Sequence, residues 1–168
     1  TNVDILIIAS NEEINLPHTL PALVNWAKNV FIIESGSTDN TVQVAKSLGA
    51  KVVHNEWKGF AYQKNWALKN IAWESEWILI LDADESINDK LKAEITSITS
   101  KPSDEIKESG FWIDRYFIFL GKRIKYCGYA PSWNLRLIKK NSGLYEERDV
   151  HEHMIINGTS GFLKVKIK

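Results

Sequence analysis

The apolar and polar positions of this chain follow two successive patterns. Residues 3–9 are apolar except at Asp4, and residues 30–33 and 77–81 are unbroken apolar runs. Short runs of branched and aromatic side chains without alternation predict strands covered on both faces. Residues 51–54 predict a further strand. Between these runs the spacing becomes helical. Leu16, Leu20, Leu23, Val24 and Ala27 form one stripe, with Asn15 or Thr19 as its cap, Pro17 in its first turn and Pro21 blurring its start. Val42, Ala45 and Leu48 form a second, capped by Thr38 or Asp39 and stopped by Gly49. Residues 59–72 predict a helix that buries Phe60, Ala67, Leu68 and Ile71 and displays Gln63, Lys64 and Asn65. Ile87, Leu91, Ile95 and Ile98 predict a fourth. Four alternations of strand and helix imply a mostly parallel sheet in a three-layer α/β/α arrangement with right-handed crossovers.

Beyond a polar link at 100–108 the pattern changes. Residues 111–120, 132–138, 150–155 and 162–167 read as strands separated by glycine-containing or charged turns. The second half of the chain is therefore expected to be β-rich. Its aromatic run, Phe111-Trp112 with Tyr116-Phe117-Ile118-Phe119, is read mainly as core rather than as a surface for sugars. Tyr126, Tyr129 and Trp133, around a Gly-Tyr-Ala-Pro turn, are candidates for an acceptor wall.

Composition narrows the function classes. At 168 residues the chain fits one domain with a sizeable core, and 21 basic residues balance 21 acidic ones. No net field draws it to nucleic acid or to an anionic membrane. A single cysteine, Cys127, excludes an internal disulfide, fits a reducing compartment and is read as structural. No run approaches the roughly 20 apolar residues of a membrane span, and no signal peptide opens the chain. A start at Thr1 and an end inside Lys164-Val165-Lys166-Ile167-Lys168, which reads as a strand, lead us to expect a piece truncated at its carboxyl end.

The candidate chemistry lies where the apolar runs stop. Ser10-Asn11-Glu12, Glu34-Ser35-Gly36-Ser37-Thr38-Asp39 and Asp82-Ala83-Asp84-Glu85 each follow a predicted strand. Carboxyl ends of parallel strands share one edge, which is where open α/β sheets bind ligands. Carboxylates there can accept bonds from a nucleobase and from ribose hydroxyls, and an aspartate can carry a hard divalent ion against a diphosphate. Neither a Walker loop nor G-x-G-x-x-G is present, which argues against an ordinary kinase or dehydrogenase. Lys64 and Arg136 are candidate clamps for diphosphate or acceptor charge.

Together, these three strand-end segments and Gln63-Lys64-Asn65 resemble the family-2 inverting glycosyltransferases, and among them the lipopolysaccharide-core β-glycosyltransferase type. The resemblance implies a GT-A type nucleotide-diphospho-sugar transferase fold, with residues 1–100 as the nucleotide-sugar-binding half and 101–168 as the acceptor-side half. It implies a nucleotide-sugar donor, a UDP-sugar, with Mg²⁺ or Mn²⁺. The expected acceptor is a saccharide or lipid-linked saccharide, met at the cytoplasmic face of the membrane by peripheral association. By position, Glu34 stands where the family usually has an aspartate against the nucleoside, a departure that changes its reach. Asp82 would meet the ribose or the metal's waters, and Asp84 the metal itself. Ser10, Asn11, Glu12 and Ser35 would line the nucleotide site. Glu146-Glu147-Arg148-Asp149-Val150-His151-Glu152-His153 resembles the family's Val-His-Glu signature. An inverting transfer needs a carboxylate to take the acceptor proton. Glu152 is the first candidate and Asp149 the second, and His151 is a candidate metal ligand. The rival readings are a binding fragment without catalysis and a sugar-nucleotide pyrophosphorylase. The latter is disfavoured by Ser10-Asn11-Glu12-Glu13 where a glycine- and arginine-rich loop would stand.

Overall fold

The first strand, β1 (Val3–Ala9), divides its side chains between two cores. Val3, Ile5, Ile7 and Ala9 enter one and Leu6 the other. The strand β4 (Trp77–Asp82) does the same, with Trp77, Leu79 and Leu81 on one face and Ile78 and Ile80 on the other. Unbroken apolar runs are thus the consequence of helices above and below. The computed structural model describes residues 1–116, 131–146 and 153–168, with the backbone of 118–119 and 122–123.

One seven-stranded sheet organises the molecule. It contains β1, β2 (Asn29–Glu34), β3 (Lys51–His54), β4, β5 (Glu108–Arg115), β8 (Ser132–Lys139) and β11 (Thr159–Phe162), in the order β11-β5-β8-β4-β1-β2-β3. β1 pairs in parallel with both β2 and β4, and β2 with β3, as the alternating pattern predicts. β8 runs antiparallel between β4 and β5, so the sheet is mostly parallel with one reversed strand. Two small antiparallel pairs complete the strands, β6 (Ile118–Phe119) with β7 (Lys122–Arg123) and β9 (Gly143–Tyr145) with β10 (Met154–Ile156). The predicted 111–120 strand is therefore split, and the predicted 162–167 strand is displaced toward β11, with Ile167 keeping an isolated bridge to Arg115.

Helices α1 (Leu16–Val24), α2 (Thr41–Ser47) and α4 (Asp89–Thr99) supply Leu16, Leu20, Ala45, Leu91 and Ile95 to one core. Helix α3 (Phe60–Asn70) supplies Ala67 and Leu68 to the other. This last helix departs from its sequence reading. Phe60 is 58% exposed, whereas Gln63, Lys64 and Asn65 are buried. The inward polar groups have partners, which is what makes their burial tolerable. Asn65 Nδ2 donates to the Tyr145 carbonyl at 2.9 Å and its Oδ1 accepts from the Tyr145 N–H at 2.7 Å. Gln63 Nε2 donates to the Asn55 carbonyl at 2.9 Å and its Oε1 accepts from Asn55 Nδ2 at 2.6 Å. α3 is thus sewn by amides to the β3–α3 loop and to β9.

Candidate active site

Strand register brings the three acidic segments together. Ala9 lies opposite Glu34, and Ile8 opposite Asp82, so β1, β2 and β4 finish at one edge. The first two loops are then laced to each other. The Asn11 N–H donates to Ser37 Oγ at 3.1 Å, the Glu12 N–H to Thr41 Oγ1 at 2.8 Å, and Asn11 Oδ1 accepts from the Thr38 N–H at 2.8 Å. Asn11 takes a left-handed backbone (φ 57°), which its short amide side chain tolerates better than most. Glu12 accepts from Asn15 Nδ2 at 2.7 Å. Asn11 therefore shapes the loops, while Ser10, Glu12 and Ser35 line a hollow of about 440 Å³ with Trp57 and Phe60. These two aromatics are 45% and 58% exposed and meet edge to face, with centroids 4.8 Å apart.

Glu34 is buried at the foot of this edge. Its carboxylate accepts from His54 Nδ1 at 2.9 Å and from the Ser37 N–H. Burial pushes the carboxyl up, but the bonds from His54, Ser37 and Gly36 together hold it below the usual glutamate value.

At the end of β4 the acids meet cations. β5 and β8 shift register so that Phe111 faces Leu137 and Trp112 faces Leu135, leaving Arg136 as an extra residue in β8. Such bulges re-aim a side chain. Arg136 Nη2 sits 2.9 Å from Asp82 Oδ2 and 2.9 Å from Glu85 Oε1, and Nη1 donates to the Ile80 carbonyl at 3.4 Å. Arg115 Nη1 is 3.5 Å from Glu85 and 3.8 Å from Asp82. Lys64 Nζ is 4.0 Å from Asp82 Oδ1 and 4.9 Å from the centre of the Tyr145 ring. Burial works to raise the Asp82 pKa, but Arg136 first, then Lys64 and Arg115, carry it below the ordinary aspartate value. Glu85 goes the other way: burial, helped by the Asp82 charge, outweighs the pull of the arginines and raises it. Burial acts against the Arg136 charge, but the two carboxylates reverse that and raise its pKa.

Three cations thus meet two carboxylates at the end of β4, and guanidinium and ammonium groups of this kind suit an anionic ligand. Asp84 stands exposed in the turn beyond. Among the described residues, no three His, Cys, Asp or Glu side chains form a metal cage. A Mg²⁺ ion is commonly held by only one or two carboxylates plus phosphate oxygens, and the carboxylates of Asp84 and Asp82 supply donors of that type. A larger hollow of about 540 Å³, beside α3 and β9, has no acidic side chain among the described residues that line it.

The profile of the family described as Glycosyl transferase family 2 matches residues 4–164, nearly the whole chain. The chain belongs to this family. An uncharacterised glycosyltransferase of Rickettsia typhi is 30% identical over 94% of this chain and 51% of its own length. Another, of Rickettsia bellii, is 36% identical over 61% of this chain and 34% of its own length. The chain thus spans about half or less of the relatives it matches. Among solved structures, S. aureus TarS (1–349) superposes with a TM-score of 0.60 at 18% identity, covering 83% of this chain and 47% of that one, a likeness of fold. The GT-A-like arrangement expected from the sequence is therefore the one found.

Of the sequence-predicted site residues, the structure gathers Ser10, Asn11, Glu12, Glu34, Ser35, Lys64, Asp82, Asp84 and Arg136 along one sheet edge. Asp149, His151 and Glu152 lie outside the described residues, as do Tyr126 and Tyr129. Sequence reasoning missed Arg115, Trp57 and Phe60 as members of the site and gave Glu85, within its acidic segment, no role of its own. Glu85 was visible only as the last acid of a turn, and Arg115 as an unremarkable strand end.

Proposed function

We propose that this chain is the donor-binding part of an inverting glycosyltransferase that moves a sugar from a UDP-sugar to a saccharide or lipid-linked saccharide. The observation carrying this reading is the single edge on which Glu34, Asp82 and Asp84 stand with Lys64, Arg115 and Arg136. The nucleobase enters the hollow of Ser10 and Ser35, stacked on Trp57, with Glu34 below it. The diphosphate lies toward Lys64, Arg115 and Arg136. Asp84, with Asp82, would hold Mg²⁺ or Mn²⁺, which would supply positive charge to the departing diphosphate. Glu152, or failing it Asp149, takes the proton of the acceptor hydroxyl as that oxygen bonds to the anomeric carbon and the bond to the nucleoside diphosphate breaks. His151 is assigned beside the metal or diphosphate. The likeness of the motifs to the lipopolysaccharide-core type supports an acceptor at the inner face of the cell membrane. No helix among the described residues is long and apolar enough to cross a bilayer.

A thermal-shift titration with UDP, GDP and NAD, each with and without Mn²⁺, tests the reading. At about a hundred times its dissociation constant a ligand adds about 2.7 kcal/mol, which moves the midpoint by several degrees. A shift with UDP and Mn²⁺ alone is expected. Equal shifts with NAD, or none with any nucleotide, would refute the assignment. Trp57→Ala should weaken UDP binding roughly tenfold, since base stacking on an aromatic ring is worth about 1–3 kcal/mol. Unchanged UDP affinity by calorimetry would remove Trp57 from the site.

A further inference from the structure

Sheet order separates two hollows. The one edged by Trp57 lies by β1 and β2, whereas a smaller one, of about 180 Å³, is lined from β5 and β8 on the other side of β4. Asp82 and its cations stand between them. The inner end of the smaller hollow carries Lys64, Arg136 and Asn134, and its outer part is bounded by Trp112 and Trp133. Phe162 joins these two indoles. Its ring stacks on Trp112 at 6.4 Å and 20°, and Trp133 meets it edge-on at 5.1 Å and 88°. Phe162 is 63% exposed and Trp133 40%. Trp112 Nε1 donates to Ser160 Oγ at 3.0 Å, which fixes that indole's orientation.

The rings therefore form an exposed corner that continues into a polar cleft ending at the acid–cation centre. A protein or lipid partner would favour a continuous apolar patch. Flat aromatic faces leading to a few convergent polar groups instead suit a ligand that is itself two-faced. A pyranose has that character, with C–H groups on its flat faces and hydroxyls around its rim. We propose that Trp112, Trp133 and Phe162 form a stacking platform for the saccharide acceptor, placing the sugar next to the reacting one toward the outer rings and its attacking hydroxyl toward Asp82. The proposal rests on the transferase reading above. It accounts for the position of the platform across β4 from the nucleobase hollow, since an acceptor must approach the anomeric carbon from the side away from the leaving nucleotide.

The test follows the indole N–H resonances of Trp112 and Trp133, assigned with Trp→Phe variants. The protein is titrated with glucose-, galactose-, mannose- and N-acetylglucosamine-based trisaccharides to roughly 10 mM, enough to populate a millimolar site. At least one series should shift both indoles. Phe162→Ala should weaken that response about fivefold or more while leaving UDP affinity unchanged and lowering the melting temperature by only a few degrees, the cost of two ring contacts at an exposed position. Vesicles of phosphatidylethanolamine and phosphatidylglycerol, with or without monoglucosyl-diacylglycerol, separate free from lipid-linked sugar. Response to the glycolipid vesicles alone supports a platform for lipid-linked saccharide. Silent indoles with every sugar, or a response to sugar-free vesicles, would overturn the proposal. UDP is titrated into the same samples. UDP binding with silent indoles rejects the platform alone, whereas sugar binding without UDP binding rejects the transferase reading and leaves a saccharide surface.

Discussion

Arg136→Ala is expected to lower the melting temperature by roughly 10 °C, the largest stability loss of any single substitution at this site. Arg136 is 4% exposed, and its guanidinium bridges Asp82 and Glu85 at 2.9 Å each. Alanine would leave Glu85, itself buried, as an acid with its main cation removed. Breaking a buried pair by deleting one partner costs about 3–5 kcal/mol, chiefly because the remaining charge is stranded. For a domain of this size each kcal/mol is worth about 2–4 °C. Adding Glu85→Gln to the variant should recover part of the loss, since it removes the stranded charge. The acid side also changes. Asp82 is held below its unfolded pKa of about 3.9, so its contribution is present above that pH and disappears as pH falls through the folded value. In the alanine variant that fall in stability toward low pH should shrink. Differential scanning calorimetry between pH 3 and 7 reads both effects. A midpoint within two degrees of wild type would show that Arg115 and Lys64 suffice to hold the carboxylates.

The helical and strand pattern of the first hundred residues was legible because burial there is apolar. β1 spans its run and β4 exceeds its run by one residue, since a nearly unbroken apolar run between helices leaves little freedom in register. α3 was misread because its buried face carries Gln63, Lys64 and Asn65, which a hydrophobic period assigns to solvent. Only their partners in the β3–α3 loop and β9, close in space but up to 80 residues away in sequence, explain the inversion. The same limit hid the cation centre. Arg136 faces Asp82 because β8 inserts antiparallel beside β4 and bulges at one residue, and neither the insertion nor the bulge leaves a local signature. The acids could be placed on one edge from strand ends alone, whereas their counterions come from elements whose neighbours depend on the final topology.

Asp84→Asn and Glu152→Gln should separate binding from transfer. Asp84 is exposed in the turn after β4, so replacing its carboxylate by an amide removes a hard anionic donor with little consequence for packing. If it holds the divalent ion against the diphosphate, the Mn²⁺-dependent part of UDP binding should vanish while metal-free UDP binding stays, because Lys64, Arg115 and Arg136 remain in place. Calorimetric titration of UDP with Mn²⁺ and with chelator measures that difference directly. Identical Mn²⁺ dependence in wild type and Asp84→Asn would sink the assignment. Glu152→Gln should show the reverse, unchanged UDP binding and loss of transfer by roughly a hundredfold or more, the scale of a general base. Transfer is read with the full-length protein and a saccharide acceptor that wild type glycosylates. Undiminished transfer would pass the role to Asp149. On one strand, residues 149 and 152 point to opposite faces, so if that segment is extended only one of these carboxylates can serve the acceptor. The pair of variants then reports which face it is.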